Sequence, residues 1–403
     1  MKVLYIHQHF STPQGKVGIR SYQMARELLR SGHQVNMICG SYAGAATGLS
    51  GPFIRRRREG IVDGINIIEF DMSYSNSDGF IKRCLTFGRF AVRSSWVALT
   101  ADYDLLFATT TPLTVGIPGM VGHWLRAKRF VFEVRDLWPE LPRKMGVIKN
   151  PVVLKLMDIL EWSSYRSADK CVALSPGIAK GIEACGVSPD RIEMVPNGCD
   201  IDIFSDSKLK PWRPDVVSPN DLLAVFSGTH GIANGLVSVI AAAEVLKARG
   251  RADIKLVLVG NGKEKPKLEQ MAREMKLDNL IFLAPVSKSD LAGLLAASDI
   301  GMQILANIPA FYFGTSPNKF FDYIASGLPV LNNYPGWLAD LITEHKCGFA
   351  VEPDSPEAFA LALEQAADDR LSLKKMGING LKLAQDQFSR AILAKRWVKW
   401  VTS

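Results

Sequence analysis

The chain has 403 residues, 47% hydrophobic and 22% charged, with a mean hydropathy of +0.07, which excludes a disordered chain and allows two or three domains. Lys and Arg exceed Asp and Glu by 8, and 6 of that excess lies in residues 1–205, so an anionic partner is expected on the first half. Six scattered cysteines without a Cys-x-x-Cys pair suggest neither a disulfide framework nor a zinc site and fit a reducing cytoplasm.

The apolar start Val3–Ile6 is broken by His7, Gln8 and His9 before a signal core forms, and no apolar run approaches the ~20 residues that span a bilayer. Lys2–Ile6 therefore reads as a strand. It is followed by a Pro- and Gly-bearing loop to Gly18 and by helical apolar spacing over 19–30, the opening of a nucleotide-binding α/β domain. Gly32 ends that helix and Gln34–Ile38 starts the next strand, closing a βαβ unit. From Phe80 to Trp96 a helix is expected, with Phe80, Cys84, Phe87 and Ala91 on one face and Lys82, Thr86, Arg89 and Arg93 on another. Such a helix either docks on its own domain or lies on an anionic membrane surface. Nucleic acid is not expected, because the basic residues lack interleaved aromatics. Leu105–Ala108, Arg129–Val134, Lys170–Leu174 and Ile192–Val195 are apolar runs suited to a parallel sheet covered on both faces.

The period lapses over Ser205–Asn220, which holds three prolines, and a linker is placed at 206–220. A second α/β series follows, with strands at Leu222–Phe226, Ile254–Val259 and Leu280–Leu283 and a helix over 236–249. Ser389–Val401 reads as a closing helix rich in Trp and Lys. The expected division is thus 1–205, linker 206–220, 221–385, and a terminal segment 386–403 that returns to the first domain.

Each half opens with strand, glycine loop and helix, which leaves N–H groups open to an anion such as phosphate. Gly15 and Gly18 in the first half and Gly260, Asn261 and Gly262 in the second are candidates, although glycine at such a turn is often only geometric. Gly228, Thr229, His230, Gly231 and Asn234 form a denser stretch between strand and helix. In Thr315–Val330, Ser316 is placed to cap a helix, Pro317 to enter its first turn, and Asn318, Lys319 and Asp322 to follow. Lys319 and Asp322 lie three apart, either a cation and a hydroxyl-binding carboxylate at a ligand or an exposed ion pair. No P-loop and no Gly-x-Ser-x-Gly is present. Asp200-Ile-Asp202 mimics a metal-binding pair but sits at the domain boundary, and His7 and His9 lack a third ligand, so no metal site is expected.

On these segments the chain resembles the retaining, nucleotide-sugar-dependent glycosyltransferase family 4. The match includes the glycine loop with Arg20, Gly32–Val35, Val195–Asp200 and Lys319–Val330. Phe132–Pro139, Gly228–Gly231 and Ser316–Lys319 resemble the branch that builds bacterial surface polysaccharides, in particular transferases of N-acetyl-L-fucosamine in O-antigen or capsule assembly. The resemblance implies an α/β GT-B fold of two Rossmann-like doubly wound domains facing a cleft, the first binding the acceptor and the second the donor. It implies a UDP-sugar donor, an undecaprenyl-diphosphate-linked acceptor, no metal, and a place on the inner face of the cytoplasmic membrane.

Of the family's donor carboxylate pair only the second has a counterpart, Asp322 for the nucleotide ribose, while Gly314 stands where the first would be. The usual Arg and Lys of the loop after the second domain's first strand are replaced by Thr229, His230 and Asn234, leaving Lys319 as the phosphate-binding cation. Arg135-Asp136 stands where the family commonly has His-Asp, with Arg135 facing the leaving diphosphate and Asp136 the acceptor or the anomeric centre. Their alternative reading is a salt-bridged strand end. A nucleotide-sugar 2-epimerase and a noncatalytic nucleotide-sugar-binding subunit remain rival readings. An NAD-dependent dehydrogenase is disfavoured, since neither half completes G-x-G-x-x-G.

Overall fold

The computed structural model describes residues 1–15, 17–74, 78–204 and 209–403, with the side chains of Tyr74 and Phe80 outside that description. Lys16 of the first glycine loop and residues 205–208 of the linker segment therefore lie outside the described residues. The chain forms two units: Met1–Pro196 with Gly314–Ser316 and Leu393–Ser403, and Asn197–Phe313 with Pro317–Ile392. Each is a Rossmann-like α/β layer structure, so the α/β class read from the strand and helix runs is what the chain adopts.

The first unit's sheet contains β1 (Lys2–Ile6), β2 (Gln34–Tyr42), β3 (Arg57–Val62), β4 (Ile65–Tyr74), β5 (Leu105–Thr109), β6 (Arg129–Val134), β7 (Lys170–Ala173) and β8 (Ile192–Met194). Their order is β3-β4-β2-β1-β5-β6-β7-β8, parallel except for the β3–β4 hairpin. That hairpin was not legible as a βα repeat. It turns on Asp63 and Gly64, at φ 51° and 83°, the left-handed pair that a two-residue turn needs. Central strands are buried on both faces. In β1, Leu4 and Ile6 pack toward Phe90 and Leu106, whereas Val3 and Tyr5 pack toward Phe107 and Trp397. Trp397, fully buried, lies on the helix Arg390–Thr402 and meets the Phe107 ring edge-on at 4.8 Å.

The second unit's sheet contains β9 (Leu222–Ser227), β10 (Ile254–Val259), β11 (Leu280–Leu283), β12 (Ile300–Gln303), β13 (Val330–Asn332) and β14 (Gly348–Ala350), in the order β11-β10-β9-β12-β13-β14. All of its pairings are parallel. The described part of the 206–220 segment is anchored on this unit: Trp212 Nε1 donates to Asp290 O at 2.8 Å and Arg213 pairs with Asp299 at 2.9 Å.

Candidate functional site

In each sheet the strand order reverses at one place, between β1 and β5 and between β9 and β12. Open parallel sheets offer a ligand crevice at the carboxyl ends of such strands. Chemistry-bearing residues gather at both places.

In the first unit, His7 follows β1, Thr110 and Thr111 follow β5, and Arg135 and Asp136 follow β6. The centre of this group is Glu133, fully buried on β6. Arg20 donates to its Oε2 from Nη2 at 2.8 Å and Nε at 3.1 Å, and binds the carbonyls of Val195 and Pro196 at 2.8 and 2.7 Å. Thr109 donates to Oε1 at 2.7 Å. Burial opposes a charge on Glu133, but the Arg20 and Arg135 guanidiniums and these hydrogen bonds outweigh it and hold the carboxyl below its ordinary range. A single acid in the run Phe130–Val134 was the sequence signal for such a partner, since an unpaired buried carboxylate is not tolerated.

Arg135 belongs to the same network. Its Nε donates to Thr109 Oγ1 at 2.9 Å and Glu133 Oε1 at 3.2 Å, and its Nη2 to Ser21 Oγ at 2.9 Å. The salt-bridged strand end is thus what the structure shows for Arg135, whose charge is shared with Glu133. Asp136 is different. Burial pushes its carboxyl up, against Arg135 and a hydrogen bond to Thr111. His7 is buried, with Nδ1 unpartnered among the described residues, and burial together with Arg135 and His9 keeps it neutral. Gly15 is a packing glycine: a Cβ there would lie 2.1 Å from Ser11 Oγ and 2.8 Å from Ala46 N. Gly18 is exposed.

The buried triad predicts that Glu133→Gln, which keeps the shape but leaves two guanidiniums without their counter-charge, destabilises the chain by about 2 kcal/mol. Because the native carboxyl titrates below the unfolded one, this contribution is complete above the unfolded value and fades as pH falls through the folded value. Thermal melts of both proteins between about pH 3 and 7 check it: the gap should close toward acid.

In the second unit the glycine loop after β9 and the loop after β10 touch each other. Gly260, at φ +147°, would place a Cβ 1.9 Å from Gly228 O, and Gly262 one 2.2 Å from His230 O, so both positions require glycine. His230 N donates to Asn261 O at 2.9 Å, and Glu264 N donates to His230 O at 3.0 Å. The imidazole is buried between Phe226 and Phe282, with ring centroids at 6.1 and 6.3 Å, and burial lowers its pKa. His230 therefore pins two loops together rather than reaching outward. Gly228 N is likewise occupied, by Val259 O at 3.0 Å. Of the amides from Gly228 to Gly231, those of Thr229 and Gly231 have no acceptor among the described residues.

Lys319 stands on the helix Asn318–Ala325. Its Nζ lies 4.5 Å from the centre of the Phe226 ring and donates to Asn234 Oδ1 at 2.9 Å. Asn234 in turn donates to Thr229 O at 2.7 Å. Sequence-distant residues thus form one chain, Lys319–Asn234–Thr229. Burial, with no anionic partner among the described residues to offset it, pulls the ammonium down to about 7. Pro317 is the N-cap and no side chain caps this helix, so Ser316 does not take the capping role its position suggested. Asn318 is exposed.

Lys319 and Asp322 form no ion pair with each other among the described residues. Asp322 is pushed up to about 6 by burial, with Lys288 and Arg390 opposing and Asp200 reinforcing. Asp200 itself pairs with Arg390 at 2.6 Å and Lys288 at 3.1 Å. Among the described residues no three His, Cys, Asp or Glu side chains are placed to share an ion. Tyr323, missed in the sequence, is fully buried and its hydroxyl accepts from Ser227 N at 2.9 Å, tying the helix to the end of β9.

Two family models match, one to each half: a glycosyl transferase 4-like domain over residues 17–198 and glycosyl transferases group 1 over residues 211–383. WcaI of Escherichia coli (strain K12), which carries the name of a colanic acid biosynthesis glycosyl transferase, is 25% identical over 383 residues, covering 91% of this chain and 92% of that protein. Among solved structures, sucrose-phosphate synthase from Thermosynechococcus elongatus superposes with a TM-score of 0.75 at 17% identity, covering 99% of this chain and 97% of the other. Anabaena HepE in complex with UDP-glucose superposes with a TM-score of 0.68 at 15% identity, covering 100% and 99%. At such identities the structural likeness speaks for the fold.

Proposed function

We propose, from the premise that this chain belongs to the GT-B glycosyltransferases and uses a nucleotide sugar, that it transfers the sugar of a UDP donor, N-acetyl-L-fucosamine or a related amino sugar, to a lipid-linked acceptor with retention. The observation that carries the donor half is the Lys319–Asn234–Thr229 chain at the β9/β12 reversal, beside the open amides of Thr229 and Gly231. A half-buried ammonium without an acid partner and two free N–H groups suit a diphosphate, whose charge grows as the glycosidic bond breaks. That arrangement supplies the positive charge from the chain itself, and we take the reaction to be metal-independent. Asp322 is assigned to the ribose hydroxyls. The solved complex of HepE with UDP-glucose supports a uridine donor, and the name of WcaI supports a surface-polysaccharide product. The acceptor is then an undecaprenyl-diphosphate-linked sugar.

On the first unit, Asp136 is assigned to the acceptor hydroxyl or to the positive charge at the anomeric carbon, and Arg135 to holding its surroundings electropositive. A thermal-shift screen of UDP-, GDP- and dTDP-sugars tests the donor: a UDP-sugar is expected to raise the melting temperature by several degrees, the others by less. Transfer to a diphosphate-linked N-acetylglucosamine lipid analogue then tests the reaction. Turnover of the nucleotide sugar without acceptor would favour the epimerase, and binding without any turnover the noncatalytic subunit.

A further inference from the structure

The helix Phe80–Thr100 is apolar on two opposite faces. Phe90, Ala91, Val97 and Ala98 are buried against the sheet. Ile81, Leu85, Val92 and Trp96 recur on the other side at helical spacing and are exposed, Ile81 by 75% and Trp96 by 67%. Of the face expected to be polar, Lys82 and Arg89 are exposed but Thr86 is buried, and Cys84, expected on the apolar face, is exposed; the outward apolar stripe runs beside the bases. Beside it, the helix Gly116–Arg126 is built inside out. Gly119 and Gly122 face inward, where a Cβ would lie 2.2 Å from the Phe130 ring and 2.6 Å from Tyr103 Oη, while Trp124 and Leu125 are more than 60% exposed. The next helix, Pro151–Ser167, repeats the pattern with Val152, Leu156, Ile159 and Trp162 outward. The three helices lie side by side on one face of the first unit. Scattered exposed apolar residues need no explanation, but a contiguous surface with a tryptophan on each of three neighbouring helices does.

Charge selects the occupant. The helix Phe80–Thr100 carries Lys82, Arg83, Arg89 and Arg93 and no acid, and the helix Gly116–Arg126 carries Arg126 and no acid. On the third helix Asp158 is paired with Arg143 at 2.7 Å, and burial pushes Glu161 up to about 7. No described helix is long and apolar enough to cross a membrane. Just before the first helix Asp78 pairs with Lys82 at 2.7 Å, and with that pair counted the bases of the three helices still outnumber the acids. An apolar patch with tryptophans and a basic excess has the chemistry of an interfacial anchor.

We propose that this three-helix face seats the chain on an anionic bilayer, with Ile81, Val92, Leu156 and the tryptophans entering the headgroup–acyl boundary and the basic excess of the first helix, with Arg89 exposed beside the apolar stripe, meeting the headgroups. The proposal deepens the reading of a lipid-linked acceptor, which would have to be met at such a surface. The full chain is floated with phosphatidylglycerol/phosphatidylethanolamine vesicles and with phosphatidylcholine vesicles. It is expected to float with the former at least about tenfold more strongly, and its tryptophan emission to be quenched by brominated acyl chains. Ile81→Ser/Val92→Ser/Leu156→Ser should keep the circular dichroism spectrum and lose about tenfold or more of the partitioning. Equal partitioning of the two proteins, or flotation without quenching, overturns the proposal. So does a chain that stays off vesicles and is a dimer dissolved by the triple variant, which would make a second copy the occupant. The melting response to UDP is recorded on the same samples. Its loss with flotation intact refutes the donor reading alone, and lost flotation with an intact UDP response refutes this inference alone.

Discussion

Replacing Asp136 by Asn is expected to lower kcat for sugar transfer by about 10²–10⁴-fold while donor affinity is unchanged. The substitution keeps the size and one acceptor oxygen and removes the charge and the proton-accepting oxygen. Asp136 stands after the carboxyl end of β6, next to the strand-order reversal, where burial raises its pKa and Arg135 and Thr111 hold it down. A carboxyl that must be ionised to act gives a rate that rises with pH as the group titrates, and here that acid limb should lie above the range of an ordinary aspartate. The Asn variant should lack the limb altogether. Stopped transfer assays from about pH 4 to 8, with donor binding measured in parallel, decide the matter. An unchanged kcat would remove Asp136 from the reaction and leave it to local structure.

Lys319→Met is expected to weaken donor binding and lower kcat/KM by about 10²–10³-fold, because the cation is replaced by an apolar chain of similar length. Its pH dependence is specific. With the ammonium pulled down to about 7, the free protein loses the charge as pH rises through neutrality, and a bound diphosphate restores it. Donor affinity should therefore fall between about pH 7 and 9, and binding near pH 8 should take up a proton. Calorimetry in two buffers of different ionisation enthalpy measures that uptake. Equal observed heats in the two buffers, or an Lys319→Met protein that binds UDP like the parent, would remove Lys319 from the donor site. The conservative Lys319→Arg is a useful third arm: a permanently charged side chain should flatten the pH dependence.

The two groups illustrate what could be read from the chain. Glycine loops and a Lys three residues before an Asp stand out in the sequence as candidate segments, but do not tell which atoms are open. Gly228 N and His230 N look equivalent to Thr229 N and Gly231 N in sequence, and only the contact between the β9 and β10 loops shows that the first two are occupied. The ion pair that was one of the two readings of Lys319 and Asp322 does not form among the described residues, and the two side chains have separate environments. Lys319 turns toward Phe226 and Asn234, and Asp322 toward the Asp200–Arg390–Lys288 group. Arg135, placed on the leaving group by resemblance, bonds in the structure to Glu133, Thr109 and Ser21, partners that only the fold brings together.

Hydropathy runs and their punctuation by glycine and proline determined the α/β class and most of the strands of both parallel sheets, because a strand buried on both faces must be apolar along its length. The outer surface of the first unit was not legible in that patterning: there the helices Phe80–Thr100 and Gly116–Arg126 turn apolar side chains to solvent. Periodicity locates an amphipathic face but cannot tell which side a sheet will claim, and a helix apolar on both sides carries no such label. That choice, like the pairing of each buried charge, belongs to the tertiary structure: it depends on which partners distant segments bring within a few ångströms, and desolvation penalises every polar group left without one.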